Sequence, residues 1–185
     1  ADDAICIGDS AAVGVNEVFG GLEPYAFSWS AAGPGGSFNP SVQSQDVSPD
    51  ATTTYCVEVT DGCETPLASG CVEVVIPELV DPGFVTDTLG GCHPLTIGFE
   101  SIASNPEFIV SEHWSFGDGD ESTSLGLAYH TYINEGIWDI EHTVVTVDGC
   151  VFTSFEPAYL QTYDPPTAEF AATPWQSAVP LTYFE

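Results

Sequence analysis

The stretch Trp114-Ser115-Phe116-Gly117-Asp118-Gly119 decides the fold of the second half of the chain. Its two large aromatic residues alternate with a serine, a pattern that predicts a β-strand with one buried face. The Gly-Asp-Gly triplet then predicts a tight turn, because glycine accepts a positive φ and an aspartate side chain bonds nearby backbone amides. A buried tryptophan that leads into a turn is typical of a central strand in a β-sandwich.

The composition of all 185 residues favours the same all-β class. The chain contains 18 glycines and 14 prolines, which are scattered along it. This distribution is typical of many short strands joined by turns. Hydrophobic residues make up 43% of it, enough for the cores of one large domain or two small ones. No apolar run approaches the ~18 residues of a membrane span, so we predict no insertion into a membrane.

The charge of the chain is entirely acidic. It carries 28 Asp and Glu residues and no Lys or Arg, for a formal net charge of −28 at pH 7. This excludes binding of nucleic acid, or of an anionic membrane, through basic patches. One interpretation is a solvated acidic surface suited to salty water, and another is selection for resistance to proteases that cut after lysine or arginine.

Two short phrases recur at similar spacing and divide the chain into repeats. Asp81-Pro82 recurs as Asp164-Pro165, and Pro94-Leu95-Thr96 recurs as Pro180-Leu181-Thr182. Repeats of this length are whole domains rather than the short units of a solenoid. The chain is therefore predicted to be a tandem of domains.

Each predicted domain is an immunoglobulin-like β-sandwich of about seven short strands with frequent turns. The first covers residues 1–78 and the second covers residues 79–164. Residues 165–185 are predicted to form the first strands of a third, incomplete domain, or else a donor-strand tail that completes a neighbouring subunit. The predicted structural core is aromatic and consists of Trp29, Tyr55, Trp114, Phe116, Tyr132 and Trp138.

Six cysteines without a methionine indicate an oxidising, extracellular compartment. They lack the Cys-x-x-Cys spacing of zinc sites, so disulfides are the favoured interpretation. The repeat matches Cys6 to Cys92 and Cys63 to Cys150, with Trp29 and Trp114 at similar spacing behind the first cysteine of each domain. It therefore predicts the disulfides Cys6–Cys63 and Cys92–Cys150, each within one domain.

The remaining pair of the first domain is Cys56–Cys71. Both cysteines lie off the apolar faces of their predicted strands, which allows them to meet across a hairpin. The alternative pairing is Cys6–Cys56 with Cys63–Cys71. In either case the disulfides are expected to supply a large part of the stability of domains this small.

The acidic turn after Trp114 is the one candidate metal site. Asp118, Asp120 and Glu121 place three carboxylates within a few residues. Calcium takes six to eight oxygen ligands, and the register of an EF-hand is absent, so we favour a turn held by its own aspartate. A weak calcium site shared with other loops is the alternative, and no other cofactor is predicted.

No catalytic residue is predicted, and the chain is not expected to be an enzyme. The four histidines form no His-x-x-x-His pair and no Ser/His/Asp motif. His130 precedes Tyr132 closely, and we expect it to make a structural hydrogen bond. Two small sandwiches offer no deep cleft for a pair of glycosidase carboxylates.

Residues 79–164 resemble the PKD domain, an immunoglobulin-like β-sandwich of extracellular proteins. The residues that carry the resemblance are Trp114–Gly119, His130-Thr131-Tyr132, Gly136 and the β-rich run to Asp148-Gly149. Residues 1–78 are similar to the PKD-like repeats of Bacteroidetes-type surface adhesins through Pro24–Ser30 and Thr53–Cys63, although they lack the Phe-Gly-Asp-Gly turn.

The resemblance implies a non-catalytic repeat of a giant gliding or attachment protein, often exported by the type IX route. It also implies a glycoprotein, since Ser10 and Thr88 lie in Asp-Ser/Thr-apolar phrases of the kind that such bacteria O-glycosylate. PKD-like modules occur in secreted polysaccharide-degrading enzymes as well.

The favoured function is that of a stalk or filament module at the cell surface or outside the cell. Its partners would be neighbouring domains or copies of the same protein, and extracellular polysaccharide or cell-surface components are further candidates. One alternative is a polysaccharide-binding module that uses exposed aromatics such as Tyr163 or Trp175. Another is a self-assembling fibre subunit that exchanges a strand through residues 165–185.

Overall fold

The computed structural model describes residues 4–63 and 68–170, and these residues form an all-β protein. The helical structure in this part is a single 3-10 turn over Pro106–Phe108. Nowhere in the described ranges is there a helix long and apolar enough to cross a membrane. The strands form four sheets, and each sheet draws its strands from only one half of the chain.

The first half forms what we call the first sandwich. Its strands are β1 (Ala11–Gly14), β2 (Ala26–Ala32), β3 (Ser44–Val47), β4 (Thr53–Thr60) and β5 (Ala68–Val74). A two-stranded sheet, β1–β3, faces a three-stranded sheet in the order β2–β4–β5, and all of these pairs are antiparallel. The buried hydrophobic residues between them are Val13, Trp29, Val47, Tyr55, Val57, Val59 and Val74.

The second half forms the second sandwich. Its strands are β6 (Phe84–Thr86), β7 (Gly90–Cys92), β8 (Leu95–Ser101), β9 (Ile109–Ser115), β10 (Glu121–Ser122), β11 (Leu127–Tyr132), β12 (Gly136–Thr146) and β13 (Val151–Tyr163). One sheet has the order β10–β9–β12–β13–β7 and the other has the order β11–β8–β6. The main core comprises Ile97, Phe99, Trp114, Phe116, Ala128, Tyr132, Ile140 and Leu160.

Both sandwiches have an immunoglobulin-like strand order. In the second, β7 pairs in parallel with the last strand β13, whereas the other strand pairs are antiparallel. In the first, Ala4 makes a parallel bridge to Val75, just beyond the last strand β5. Each sandwich thus begins with a segment that runs parallel to its own final strand, and this direction fixes where the cysteines lie.

The stretch that opens the sequence analysis forms the end of β9 and a tight turn. Trp114 is fully buried, and its indole Nε1 donates a hydrogen bond to the carbonyl of Ser124 at 3.0 Å. Gly117 has a φ of +83°, and a Cβ there would lie 2.5 Å from the carbonyl oxygen of Asp139. Only glycine allows both the conformation and the close approach of β12.

The six aromatic residues of the predicted core differ in burial. Five are buried: Trp29, Tyr55, Trp114, Phe116 and Tyr132. Trp138 is partly buried at the rim, where its ring stacks on Tyr132 with 5.2 Å between centroids. The strand register of β12 with β13 shifts between Trp138 and Ile140, but both residues keep the alternation of β12 and share its inner face, with Trp138 nearer the end of the strand.

Two of the predicted disulfides are wrong. Cys6 bonds to Cys150, so neither Cys6–Cys63 nor Cys92–Cys150 forms, and Cys63 and Cys92 are free. The reason is the direction of the strands: Cys6 lies beside Val75 at one end of the first sandwich, and Cys63 lies past the opposite end of β4, about 20 Å away.

The same geometry separates the predicted pair of the second sandwich. Cys92 pairs with Tyr163 at one end, whereas Cys150 follows β12 at the other, roughly 30 Å along the sheet. The third predicted disulfide, Cys56–Cys71, is present, and its two cysteines lie directly opposite each other on β4 and β5, as strand parity predicts. The alternative pairing, Cys6–Cys56 together with Cys63–Cys71, does not form.

Candidate functional site

The acidic turn does not bring the three predicted carboxylates together. The possible ligand atoms of Asp118, Asp120 and His130 lie within 4.8 Å of one another. Glu121 turns away from them toward His113, with 3.1 Å between Oε2 and Nε2. Two carboxylates and one imidazole do not fit calcium, which takes six to eight oxygen ligands.

Asp118 holds the turn together instead. Its Oδ1 accepts a hydrogen bond from the backbone amide of Asp120 at 3.2 Å, and its Oδ2 lies 2.7 Å from Nε2 of His130. The His130 ring stacks on Phe116, with 4.4 Å between centroids. The carboxylate also raises the pKa of the Tyr132 phenol, but it adds to a larger effect of burial.

Each of the four histidines faces an acidic side chain. The pairs are His93–Asp164, His113–Glu121, His130–Asp118 and His142–Glu112. His142 is fully buried: its ring stacks on Trp114, and its Nδ1 donates to the carbonyl of Pro82 at 2.9 Å. These contacts tie acidic side chains, a linker carbonyl and a core ring to the second sandwich.

The junction between the two sandwiches is the most constrained feature outside the cores. The disulfide Cys6–Cys150 crosses it, with 5.5 Å between the two Cα atoms and a separation of 144 in sequence. Cys6 lies next to Ile5, whose amide donates to the carbonyl of Val75 at 3.0 Å. Cys150 is 3% exposed in the turn that follows β12.

The turn around Cys150 is locked by reciprocal hydrogen bonds. The amide of Thr146 donates to the carbonyl of Cys150 at 2.9 Å, and the amide of Cys150 donates to Oγ1 of Thr146 at 3.2 Å. The amide of Gly149 also donates to the carbonyl of Thr146 at 2.9 Å. The backbone that carries Cys150 is therefore held firmly to the second sandwich.

The linker between the sandwiches, residues 75–83, is tied to both of them. At its start, the amide of Ile76 donates to Oγ1 of Thr52 in the first sandwich at 3.0 Å. Further along, the amide of Asp81 donates to Oγ of Ser104 at 2.8 Å, and Val80 is buried against Ala103 of the second sandwich. The linker is thus part of the packed structure rather than a free hinge.

Residues of both sandwiches and the linker surround one small cavity at the junction. Its volume is about 190 Å³, and its lining residues are Ala4, Val75, Pro77, Glu78, Phe108, Thr146 and Asp148. The junction therefore combines a disulfide, a hydrogen-bonded linker and direct packing. Together they can hold two domains in one relative orientation.

The predicted glycosylation and sugar-binding residues lie apart from this junction. Ser10 is exposed, whereas Thr88 is partly buried and its hydroxyl donates to the carbonyl of Gly90 at 3.0 Å. Tyr163 is 51% exposed. Trp175 and most of the predicted third domain lie outside the described residues, and residues 165–170 contain no strand.

A better-placed aromatic surface, not predicted from the sequence, lies on the sheet β11–β8–β6. Tyr129 is 68% exposed, and a Cβ at Gly98 would lie 3.2 Å from its ring, so the ring rests on the sheet over this glycine. Asp87 and Glu100 line the same shallow depression. Only the absence of a side chain at Gly98 hints at this arrangement in the sequence.

The interdomain disulfide was also missed, although the sequence contains a signal for it. Both domains carry an Asp-Gly-Cys phrase directly before their final strand and a second cysteine close to their first. Suppose that the first segment of a sandwich runs parallel to its last strand. A cysteine at the end of the first segment then lies at the opposite end of the sandwich from a cysteine at the start of the last strand. Such cysteines can meet only between consecutive domains.

No protein-family model matches this chain, and no curated protein matches it by sequence. Among solved structures, the amphioxus IgVJ-C2 molecule is similar, with a TM-score of 0.35 and 9% identity over 85% of this chain and 99% of that one. A similarity at this level carries no argument about function. The fold assignment rests on the strand order of the two sandwiches, which are immunoglobulin-like and disulfide-bonded.

Proposed function

We propose that this chain is a non-catalytic structural module that keeps parts of a large, acidic, extracellular adhesin or filament protein at a fixed spacing. The observation that carries the proposal is the disulfide Cys6–Cys150, which joins one sandwich to the next. The resemblance to PKD and PKD-like repeats of Bacteroidetes-type surface proteins supports it. These repeats are spacers or adhesive modules, and the type IX route would export them.

A second covalent connection matters because domains joined by one linker normally move relative to each other. The disulfide Cys6–Cys150 and the linker around Pro77 give the sandwiches two covalent connections. Rotation about either connection then strains the other. A stalk made of such units transmits force and position along its length, which a flexible string of beads does not.

The chemistry of the chain supports a place outside the cell. Disulfides persist in oxidising compartments. The chain has two of them, one between positions 144 apart in sequence and one between positions 15 apart. The absence of Lys and Arg removes cleavage sites for proteases of trypsin-like specificity. O-glycosylation at exposed Ser10 would add to this durability.

The distance between the two free cysteines tests the proposal. Cys63 and Cys92 lie at the far ends of the two sandwiches, so spin labels on them report the end-to-end distance by pulsed electron resonance. We expect a single narrow distribution in the native chain. In the double variant Cys6→Ser/Cys150→Ser the distribution should broaden, because only the linker connects the sandwiches.

The matched control is the double variant Cys56→Ser/Cys71→Ser. It also loses one disulfide, but that disulfide lies within the first sandwich, so the end-to-end distribution should stay narrow. A native distribution as broad as that of Cys6→Ser/Cys150→Ser would refute the rigid spacer. A broadening in the control of the same size would show that loss of any disulfide loosens the chain.

The exposed ring of Tyr129 favours a second candidate function, the binding of extracellular polysaccharide. An exposed aromatic ring beside a sheet offers apolar surface to a sugar, and Asp87 and Glu100 supply hydrogen-bond acceptors for the sugar hydroxyls. We expect Tyr129→Ala to abolish retardation of the chain in gels that contain a neutral polysaccharide. Phe155→Ala, which removes a 56% exposed aromatic from the other sheet, is the control that should leave retardation unchanged.

A further inference from the structure

The free cysteines Cys63 and Cys92 mark the two ends of the unit formed by both sandwiches. Both are exposed. Cys63 follows β4 at the end of the first sandwich that points away from the junction, and Cys92 ends β7 beside Tyr163 at the far end of the second. They therefore lie too far apart to bond within one copy, since a disulfide needs Cα atoms within about 7 Å.

Cys63 occupies the position that Cys150 occupies in the other sandwich. Asp61-Gly62-Cys63 follows β4, and Asp148-Gly149-Cys150 follows β12, in each case between the penultimate and the final strand. Cys150 uses this position to bond to the sandwich that precedes it in the chain. Cys63 presents the same group at the end of the first sandwich that points away from the junction.

Cys92 occupies the position of Cys6 to within two residues. Each follows the segment that runs parallel to the final strand of its sandwich: Ala4 bridges to Val75, and Cys92 pairs with Tyr163. The amide of His93 donates to the carbonyl of Tyr163 at 3.0 Å, as the amide of Ile5 does to that of Val75. Cys92 thus places a thiol at the far end of the second sandwich, in the position that corresponds to the Cys6 sulfur at the junction.

We propose that Cys92 of one copy of this chain forms a disulfide with Cys63 of a second copy. The bond repeats the Cys6–Cys150 connection, so copies join head to tail in the way that the two sandwiches are already joined. This inference rests on the proposed structural function and deepens it by naming the partner and the bond. Each copy offers one cysteine of each kind at opposite ends, a heterologous contact that extends into an open filament.

The reaction is an oxidation and needs an acceptor for two electrons, which we take to be a small-molecule or protein disulfide of the extracytoplasmic compartment. The thiolate of one cysteine attacks that disulfide, forms a mixed disulfide and releases one thiol. The thiolate of the partner copy's cysteine then attacks the protein sulfur of the mixed disulfide and releases the second thiol. Two protein thiols become one disulfide, and the acceptor leaves as two thiols.

The net charge of the chain sets a condition for this assembly. At −28 per copy, two ends that approach each other repel, and salt screens this repulsion within about 10 Å at 0.1 M. Asp164 lies near the Cys92 end, although it is paired with His93 at 2.6 Å. We therefore expect the bond to form faster as the salt concentration rises, the opposite of an association driven by charge attraction.

Two single variants separate a specific bond from random oxidation. Cys63→Ser keeps only Cys92, and Cys92→Ser keeps only Cys63, and both positions are exposed, so neither change should affect folding. Each variant, and an equal mixture of the two, is treated with oxidised glutathione in moderate salt. We expect the mixture to yield roughly tenfold more dimer than either variant alone, because the matching ends raise each other's effective concentration.

The native chain supplies the second measurement. It should form a ladder of dimers and longer species that dithiothreitol removes, and non-reducing peptide mapping should recover Cys63 joined to Cys92. The map needs a protease that cuts at acidic or aromatic residues, because the chain has no Lys or Arg. Intact mass before oxidation should show two disulfides and two free thiols per copy.

Two results would overturn the inference. If either variant alone dimerises as strongly as the mixture, the thiol oxidation is adventitious and the specific bond is refuted. Equally, a native chain that stays monomeric while glutathione caps both free thiols has no preferred copy-to-copy bond. Neither result touches the spacer proposal, which depends on the end-to-end distance within one monomer.

Discussion

The two sandwiches share a strand order but differ in what surrounds the tryptophan at their centre. In the second, Phe84 of β6 packs on Trp114 with 5.7 Å between ring centroids, and His142 stacks on it at 3.8 Å. In the first, Trp29 and Val57 instead line an apolar cleft of about 320 Å³. The packing around the central tryptophan is therefore closed in one sandwich and open on one side in the other.

The first sandwich has a covalent bond where the second has aromatic packing. Cys56 and Cys71 link β4 to β5, and Cys71 also lines the cleft. Among the described residues, no disulfide joins two strands of the second sandwich, since Cys150 bonds to Cys6 and Cys92 is free. The same fold is therefore stabilised by a disulfide in the first sandwich and by aromatic packing in the second. Removal of the disulfide and removal of an aromatic side chain should affect the two sandwiches differently.

Removal of the central tryptophan should have the largest effect and should differ between the sandwiches. We expect Trp114→Ala to lower the free energy of unfolding of the second sandwich by about 3–5 kcal/mol, because it leaves a cavity in a closed core. Trp29→Ala should cost roughly half as much, because its site already opens on a cleft. Urea unfolding followed by pulsed hydrogen exchange on peptides from each half measures the two separately.

The expected difference between the two tryptophan variants can be refuted. Equal losses from Trp114→Ala and Trp29→Ala would mean that the cleft beside Trp29 closes in solution. Phe155→Ala, an exposed aromatic residue on β13, serves as the matched control and should change stability by less than about 0.5 kcal/mol.

Loss of the Cys56–Cys71 disulfide should destabilise only the first sandwich. The bond spans 15 residues, for which the chain-entropy account gives about 3 kcal/mol. We therefore expect Cys56→Ser/Cys71→Ser to lower the urea midpoint of the first half and to leave that of the second unchanged. A parallel drop in both halves would show that the junction couples their unfolding.

Much of the fold can be predicted from alternation and repetition. The pattern of Trp114 and Phe116 predicts a buried strand, because residues two apart on a strand share a face. The same parity places Cys56 and Cys71 on a shared face of neighbouring strands. These are local rules, and they depend only on residues close together in sequence or matched by the repeat.

The junction needs information that local rules do not contain. The repeat correctly matches Cys6 to Cys92 and Cys63 to Cys150, but it does not say whether matched positions bond within a domain or between domains. That choice depends on strand direction, which puts Cys6 and Cys63 at opposite ends of one sandwich. The position of the Tyr129 ring next to Gly98 likewise depends on cross-strand register, which no single strand reveals.

The acidic turn of the second sandwich has no counterpart in the first, and its loss should have a moderate effect. We expect Asp118→Ala to cost about 1–3 kcal/mol, because the amide of Asp120 and the ring of His130 lose their acceptor. Calcium should not change the melting temperature of the native chain, since the group offers too few oxygen ligands. A rise with calcium that Asp118→Ala abolishes would restore the calcium alternative.

Alkaline pH should produce the smallest effect, which is absent below pH 10 and larger in the second sandwich. Burial raises the pKa of Tyr132, with the nearby Asp118 charge as a lesser cause, and burial alone raises that of Tyr55 in the first sandwich. Folding therefore favours the protonated phenol. The associated stability is complete below the unfolded pKa of 10.0 and is lost as the pH rises through the folded pKa.

Phenylalanine variants isolate the two phenols. Tyr132→Phe loses the hydrogen bond to the carbonyl of Phe116, worth about 1 kcal/mol at neutral pH, but the second sandwich should then lose less stability above pH 10. Tyr55→Phe, which loses the hydrogen bond to the carbonyl of Gly35, is the matched change in the first sandwich. It should reduce the loss of stability above pH 10 by less than Tyr132→Phe does in the second. Because Asp118 acts on Tyr132 alone, Asp118→Asn should reduce the difference between the two profiles. Profiles that stay parallel in all three variants would mean that other groups cause the alkaline loss.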